Sequence, residues 1–299
     1  MSRKAKRDDD IEKVVQQEQI DRGCTTVGTI CDDWHWPRAS MKVLFDAKQV
    51  LKNGHKAHPQ NKVVAGDVLC LQMVKEKIDY EPVAMDLVIV YEDEDLLILN
   101  KPLGMTVNSK GQTSIANGVA HYFKEQGIKR KVRFLNRLDR DTSGLLVIAK
   151  SGFAQSLYQQ QLENHTFEKW YKAQVLGRLE GQGMWELLMR RSQDGQSYEV
   201  VPELLVNSKY PIKNTKTWYK ALQTMKLFNG QEVTEVEVRL YTGKTHQIRV
   251  AMAYKGHPLV GDALYGGQVE GLAQDTYHLC ADRIAFTHIR THKRVEVRL

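Results

Sequence analysis

The chain of 299 residues is 42% hydrophobic, 26% charged and 8% aromatic, and carries a formal net charge of +7. That composition fits a globular protein with core enough for one large or two smaller domains, and it excludes a disordered or fibrous chain. No apolar run approaches the roughly 18 residues of a membrane span, and the modest positive charge permits a polyanionic partner without demanding one.

Four cysteines, Cys24, Cys31, Cys70 and Cys280, show neither CxxC spacing nor the density of a secreted scaffold, so reduced thiols in a cytoplasm are the simplest account. A zinc site from Cys24, Cys31, His35 and His55 or His58 matches no standard finger spacing. In chain order, "MSRKAKRDDD" has basic residues with no apolar stretch behind them and so is not a signal peptide. Residues 1–20 are expected to form a solvated, disordered tail.

A small unit is expected over 21–80. Pro37 suits the first turn of a helix, on which Met41, Leu44 and Phe45 share one face and Arg38 and Lys42 another. "VLKNGHKA" reads as a strand entering a hairpin, with Asn53-Gly54 supplying the positive φ angles, and Gly66-Asp67 marks a second turn. Between Arg38 and Lys62 the basic residues Arg38, Lys42, Lys48, Lys52, Lys56 and Lys62 face one acid, Asp46. The polar stretch 76–86, with Pro82, reads as a linker.

A larger domain over 86–299 opens with the strand pair "LVIVYEDEDLLILNKPLG", turned at Glu92–Asp95 and ended by Pro102-Leu103-Gly104. Ser151 is a plausible N-cap for a helix with apolar residues at Phe153, Leu157, Tyr158 and Leu162. "FEKWYKAQVLG" follows as a strand. "TEVEVRL" alternates, Val236, Val238 and Leu240 on one face and Glu235, Glu237 and Arg239 on the other. "YTGKTHQIRVAMAYKG" turns at Gly243 into a helix that Thr245 can cap and Gly256 can end. Strands outnumber helices, so the class is α+β: a mixed, mostly antiparallel sheet flanked by helices and loops, with a small N-terminal α/β unit.

There is no GxxxxGK[ST], GxGxxG, HExxH or GxSxG, and no HxE…PCxxC deaminase pattern. Three segments remain. "NRLDRDTSGLLVIAK" offers Asp139 on a loop that Thr142, Ser143 and Gly144 can brace. "EKWYKAQV" sets Lys169 and Tyr171 on one side of a strand, and "GKTHQIR" puts Arg249 in the first turns of a helix. Each alone reads equally well as a turn, a core aromatic and a surface arginine. Asp139 and Asp141 also leave open a glycosidase-like carboxylate pair, and a catalytically silent RNA-binding protein is a further alternative.

Together the segments resemble the motifs of the RluA-type pseudouridine synthase family: Asn136–Lys150, Lys169–Tyr171 and Gly243–Arg249, followed by "GHPLVGDALYGG" at Gly256–Gly267. "YEDEDLLILNKPLGMTV" resembles that family's opening motif and "YHLCADRIAFTH" its closing strands. The 21–80 unit resembles a divergent alpha-L RNA-binding domain through Val50, Asn53, Gly54, Gly66, Asp67 and Leu69.

The resemblance implies a pseudouridine synthase fold and the isomerisation of specific uridines in ribosomal or transfer RNA. It requires no metal and no cofactor, and is expected of a cytoplasmic monomer. It makes Asp139 the catalytic aspartate, Arg249 its ion-pair partner and Tyr171 the aromatic that packs on the target base. Arg137, Lys101, Thr142, Lys169, Lys244, His246 and Gln247 are expected to contact RNA or the substrate. Asn136 and Lys244 depart from the commoner histidine and arginine.

Overall fold

Two sheets organise the chain in the computed structural model, which describes residues 9–109, 111–193, 195–202, 210–271 and 277–299. The smaller is built from β1 (Ile11–Val14), α1 (Gln17–Asp21), α2 (Val27–Asp33), α3 (Arg38–Asp46), β2 (Val50–Lys52), β3 (His55–Lys56) and β4 (Val68–Leu71), with strand order β1-β4-β2-β3. The tail expected over 1–20 is therefore corrected: its first eight residues lie outside the described ones, but Ile11–Val14 pair antiparallel with Val68–Leu71. The run of charges hid a strand whose anchors, Ile11 and Val15, are buried.

The two turn signals interlock. Asn53 (φ 51°) and Gly54 (φ 83°) make the β2–β3 turn, and the Asn53 amide donates to Asp67 at 2.6 Å while accepting from the Val68 N–H at 2.8 Å. Val27, Ile30, Trp36, Met41, Leu44, Leu69 and Leu71 close the core of this unit, and Phe153 joins it from the other unit with its ring 5.7 Å from Trp36.

The larger unit contains β5 (Val88–Glu92), β6 (Leu96–Lys101), α4 (Ile115–Glu125), β7 (Arg133–Phe134), β8 (Ser143–Ala149), α5 (Gly152–Glu163), β9 (Glu168–Leu176) and β10 (Gln182–Arg191). It continues with β11 (Tyr198–Val200), β12 (Lys213–Lys226), β13 (Glu232–Leu240), α6 (Gln247–Tyr254), β14 (Leu279–Thr287) and β15 (Arg294–Arg298). These strands form one sheet in the order β11-β10-β12-β13-β9-β14-β8-β6-β5, with β15 on β14 and β7 on β8. Val236, Val238 and Leu240 of β13 face the core, as the alternation requires.

Residues 76–86 are a strap packed on the larger unit. Asp79 accepts from the Val132 N–H at 3.0 Å, Asn117 donates to the Glu81 carbonyl at 2.9 Å, and Ile78, Tyr80 and Met85 press on the core. Arg290 ties the units together, binding the buried Asp95 at 2.5 and 2.9 Å and the carbonyls of Asp10 and Asp9 at 2.8 and 3.1 Å.

Every strand pairing in the larger sheet is antiparallel except one. β14 meets β8 in parallel over two positions, Cys280 opposite Ser143 and Ala281 opposite Gly144. Gly144 adopts φ 108°, and a Cβ there would lie 2.2 Å from the Ala281 carbonyl oxygen. Only glycine lets the two halves of the sheet close.

Gly144→Ala must therefore move the backbone of β8 or β14, and is expected to cost about 4 kcal/mol or more. Gly230→Ala, also at positive φ but with nothing within 4 Å of the added carbon, is expected to cost about 1–2 kcal/mol. Urea midpoints at constant slope compare them. Equal midpoints would show that the sheet junction yields without cost.

Candidate active site

The loop from Arg137 to Thr142 leads from β7 into β8 and reaches the cleft because both its ends are fixed. At the start, the Asn136 side chain behaves like a strand residue, donating to the Leu145 carbonyl at 3.0 Å and accepting from the Val147 N–H at 2.8 Å. This accounts for asparagine at that position. At the end, the Thr142 N–H donates to the Asp139 carbonyl at 3.2 Å and its hydroxyl to Tyr277 at 3.3 Å.

Lys101 corrects the expectation of RNA contact. Lys101 is 0% exposed and donates to the carbonyls of Pro102, Met105 and Arg140 at 2.8, 2.8 and 2.9 Å. It is an internal clamp that fixes the loop to the end of β6. An ammonium suits this task because its three donors match three carbonyls. Burial pushes it down to about 8, against the pull of Asp141 and Asp139. Thr142 is also buried, but unlike Lys101 it lines the cavity that holds Asp139.

Asp139 emerges with its carboxylate 28% exposed. It shares a cavity of about 50 Å3 with Arg137, Tyr171, Lys244, His246 and Arg249. Tyr171 is buried on β9, where burial first and Asp139 second raise its hydroxyl well above the usual range. Asp141 does not line this cavity; Arg140 holds it at 3.0 Å. The carboxylate pair that a glycosidase needs is not assembled.

Arg249 does approach Asp139, but not as a fork. Its Nη1 lies 3.9 Å from Asp139 Oδ2, while Nε and Nη2 bind Asp262 Oδ2 and Oδ1 at 2.7 and 2.8 Å. The bidentate partner expected at Asp139 is thus Asp262, which is 0% exposed. A carboxylate so buried must have both oxygens satisfied, and the planar guanidinium does that. Burial is the largest influence on Arg249 and works to lower it, yet the bonds to Asp262 and the fields of Tyr277, Asp262 and Asp139 together leave Arg249 raised. The rings of Tyr277 and Tyr265 lie 4.3 and 5.0 Å from the guanidinium carbon, and burial pushes both hydroxyls up to about 12.

Sequence reasoning missed Asp262, Tyr265 and Tyr277 as site residues. The signal was present in "GHPLVGDALYGG", an acid inside an apolar turn with no cation near it in sequence.

Helix α6 begins one residue later than expected. His246, at φ 57°, is the N-cap in place of Thr245. Its Nδ1 lies 2.8 Å from the Tyr265 hydroxyl and its Nε2 3.9 Å from Asp139 Oδ2. Burial lowers His246 below its ordinary value, with Asp139 opposing.

Gln247 has structural bonds of its own. It is buried, its amide oxygen accepting from Thr242 and the Lys244 N–H and its NH2 donating to Thr217 and the Lys216 carbonyl. It shapes the loop with these four bonds and also lines the cavity that holds Asp139. Arg137 and Lys244 are exposed, and Lys169 is half-buried and lowered first by burial, then by the like charge of Lys244. Among the described residues, the metal-ligating types Asp93, Glu94 and His288 do cluster. Asp93, however, already accepts from Tyr91, Asp95 and Leu96, and His288 Nδ1 from Arg290 and Thr291.

Known proteins share this architecture. The family described as RNA pseudouridylate synthase matches residues 95–254. An uncharacterized RNA pseudouridine synthase of Bacillus subtilis, YjbO, is 32% identical over 262 residues, covering 85% of this chain and 87% of that one. Ribosomal large subunit pseudouridine synthase D of Escherichia coli K12 is 31% identical over 239 residues, covering 78% and 69%. The solved structure of human RNA Pseudouridylate Synthase Domain Containing 1 superposes with a TM-score of 0.58 at 26% identity, covering 74% and 86%. Fold and motifs together define an RNA-modifying isomerase. The chain belongs to the RluA-type family of RNA pseudouridine synthases.

The buried pair yields a stability prediction. Asp262→Leu leaves a buried guanidinium without its partner and should cost about 3–5 kcal/mol. Adding Arg249→Met removes the orphaned charge, and the double variant should regain most of that stability while remaining inactive. A double variant less stable than Asp262→Leu would show that the guanidinium is not left unpaired.

Lys101 yields a pH prediction. Between about 8 and the ordinary value of 10.5 the unfolded chain holds a proton there that the folded chain does not, so stability rises with pH across that window. Relative to Lys101→Met, wild type should gain on the order of 3 kcal/mol over it. Parallel curves from pH-resolved urea denaturation would mean that Lys101 titrates as in water.

Proposed function

We propose that this synthase isomerises uridine in ribosomal RNA with Asp139 as its catalytic carboxylate. The observation that carries the assignment is the convergence on Asp139 Oδ2 of Arg249 Nη1 and His246 Nε2, each 3.9 Å away, beside Tyr171. The reaction breaks C1′–N1, turns the uracil and joins C1′ to C5. The C5 hydrogen leaves as a proton and N1 gains one, so no electron donor is needed. A carboxylate serves either by bonding to the sugar or by taking a proton from it.

The target uridine must leave its stack, at a cost of a few kcal/mol that an aromatic side chain and phosphate contacts offset. Tyr171 supplies the first, and Arg137, Lys169 and Lys244 at the rim supply the second, so binding weakens with salt. In the 21–80 unit, Arg38, Lys42 and Lys52 are already paired with Asp32, Asp46 and Asp67. Lys48, Lys56 and Lys62 are the lysines best placed to track phosphates. The ribosomal target follows the relative named for the large subunit. The free cysteines suit a cytoplasmic setting.

Asp139→Asn should abolish pseudouridine formation with RNA affinity retained, whereas Asp141→Asn, held outside the cleft by Arg140, should keep substantial activity. Equal loss in both would return the carboxylate-pair reading. Mapping pseudouridines in total RNA from cells with and without the protein tests the target; sites lost only from transfer RNA would overturn the ribosomal assignment while leaving the chemistry standing.

A further inference from the structure

We infer that His246 is a positioning residue for Asp139: Tyr265 fixes its ring in the form that carries hydrogen on Nε2, so that His246 and Arg249 together grip carboxylate oxygen Oδ2 and leave Oδ1 to the substrate. The inference rests on the reading of Asp139 as the reacting carboxylate and adds to it which oxygen reacts and what holds the other.

One hydroxyl decides the form of the ring. Tyr265 accepts the Tyr198 backbone N–H at 3.0 Å, and its oxygen lies 2.8 Å from His246 Nδ1. Burial pushes Tyr265 up to about 12, so it keeps its own hydrogen at neutral pH. With Nδ1 as the ring nitrogen beside it, that hydrogen is donated there. A neutral imidazole has one N–H, which is then on Nε2, facing Asp139 Oδ2 at 3.9 Å.

The opposite form would point the Nε2 lone pair at a carboxylate oxygen and is disfavoured on electrostatic grounds alone. The ring stays neutral because burial lowers it. Of the charged and titratable groups that face it, Asp139 and Asp262 act to raise it and Arg249 to lower it, while Tyr265 is un-ionised.

The same short turn holds both arms. Asp262 fixes the Arg249 fork, and Tyr265, three residues on in the 3-10 turn Ala263–Tyr265, fixes His246. Distances of 3.9 Å are longer than hydrogen bonds, and catalytic contacts of this kind tighten when substrate closes the site. The roles are thereby divided. Oδ2 is stabilised by two oriented donors, and Oδ1, the oxygen farther from both of them, is the atom left to meet the ribose or base.

Two measurements on the full-length protein test this. Nitrogen-15 NMR of histidine-labelled protein should find His246 as the Nε2–H form, and Tyr265→Phe should convert it to a mixture with Nδ1–H. In single-turnover assays Tyr265→Phe should lower the rate about tenfold, with RNA affinity within about twofold. His246→Ala should lose about 100-fold, and His246→Gln, whose amide N–H can reach the place of Nε2–H, should recover about tenfold of that loss.

An Nδ1–H form in the wild type overturns the inference whatever the kinetics, as does a glutamine variant no faster than alanine. A wild-type rate in Asp139→Asn overturns the catalytic reading instead, and the NMR result stands apart from it.

Discussion

Ala281 sits in register between Gly144 of β8 on one side and Tyr171 of β9 on the other. That single position joins the two halves of the sheet and brings the loop carrying Asp139 alongside the strand carrying Tyr171. The side-chain-free Gly144 permits the approach. A substituent there would separate Asp139 from its aromatic neighbour before it disturbed either residue directly, so the site's geometry is a property of the backbone ladder. Side-chain bonds then refine it. Lys101 clamps the loop from below, and the Thr142 hydroxyl ties it to Tyr277, just ahead of β14.

The local features were readable in the sequence because they follow from neighbouring residues. Asn53-Gly54 dictates its turn through the positive φ that both residues accept, and the alternation in "TEVEVRL" dictates which face of β13 is buried. The positions of Asp139, Tyr171 and Arg249 came from motif resemblance, and the structure does bring all three to one cleft. The bidentate partner of Arg249 had only a weak signal, the lone acid in the 256–267 turn. A buried ion pair is selected by which carboxylate the fold removes from water, and that depends on the path of the 256–267 turn rather than on residue type. Lys101 misled for the same reason. A lysine in a motif reads as a surface contact until tertiary structure supplies carbonyls enough to satisfy it inside.

The first strand shows the converse error. "RDDDIEKVV" is dominated by charge, and charge argued for solvent. Two apolar anchors, Ile11 and Val15, together with an edge offered by β4, were sufficient to order it. The Asp9 and Asp10 backbone then became acceptors for Arg290, whose remaining donors hold Asp95. Once docked, the N-terminal unit stands in a fixed relation to the larger sheet through Arg290, the 76–86 strap and Phe153, so any RNA that touches both units is held over a set span.

Charge in the cleft is sorted by depth. The deepest cations, Lys101 and Arg249, are satisfied internally by carbonyls and by Asp262, and so contribute alignment rather than a field that draws in RNA. Lys244 is exposed at the same cavity, and Lys169 is close enough to it for the two to repel each other. A phosphate between them would relieve that repulsion, whereas a neutral sugar would not. The close like-charged pair thus favours an anion beside it, whereas the buried cations hold geometry. Lysine can stand at position 244, where arginine is commoner, because an exposed charge needs no fork, while the fork that only arginine offers is used at the buried Arg249.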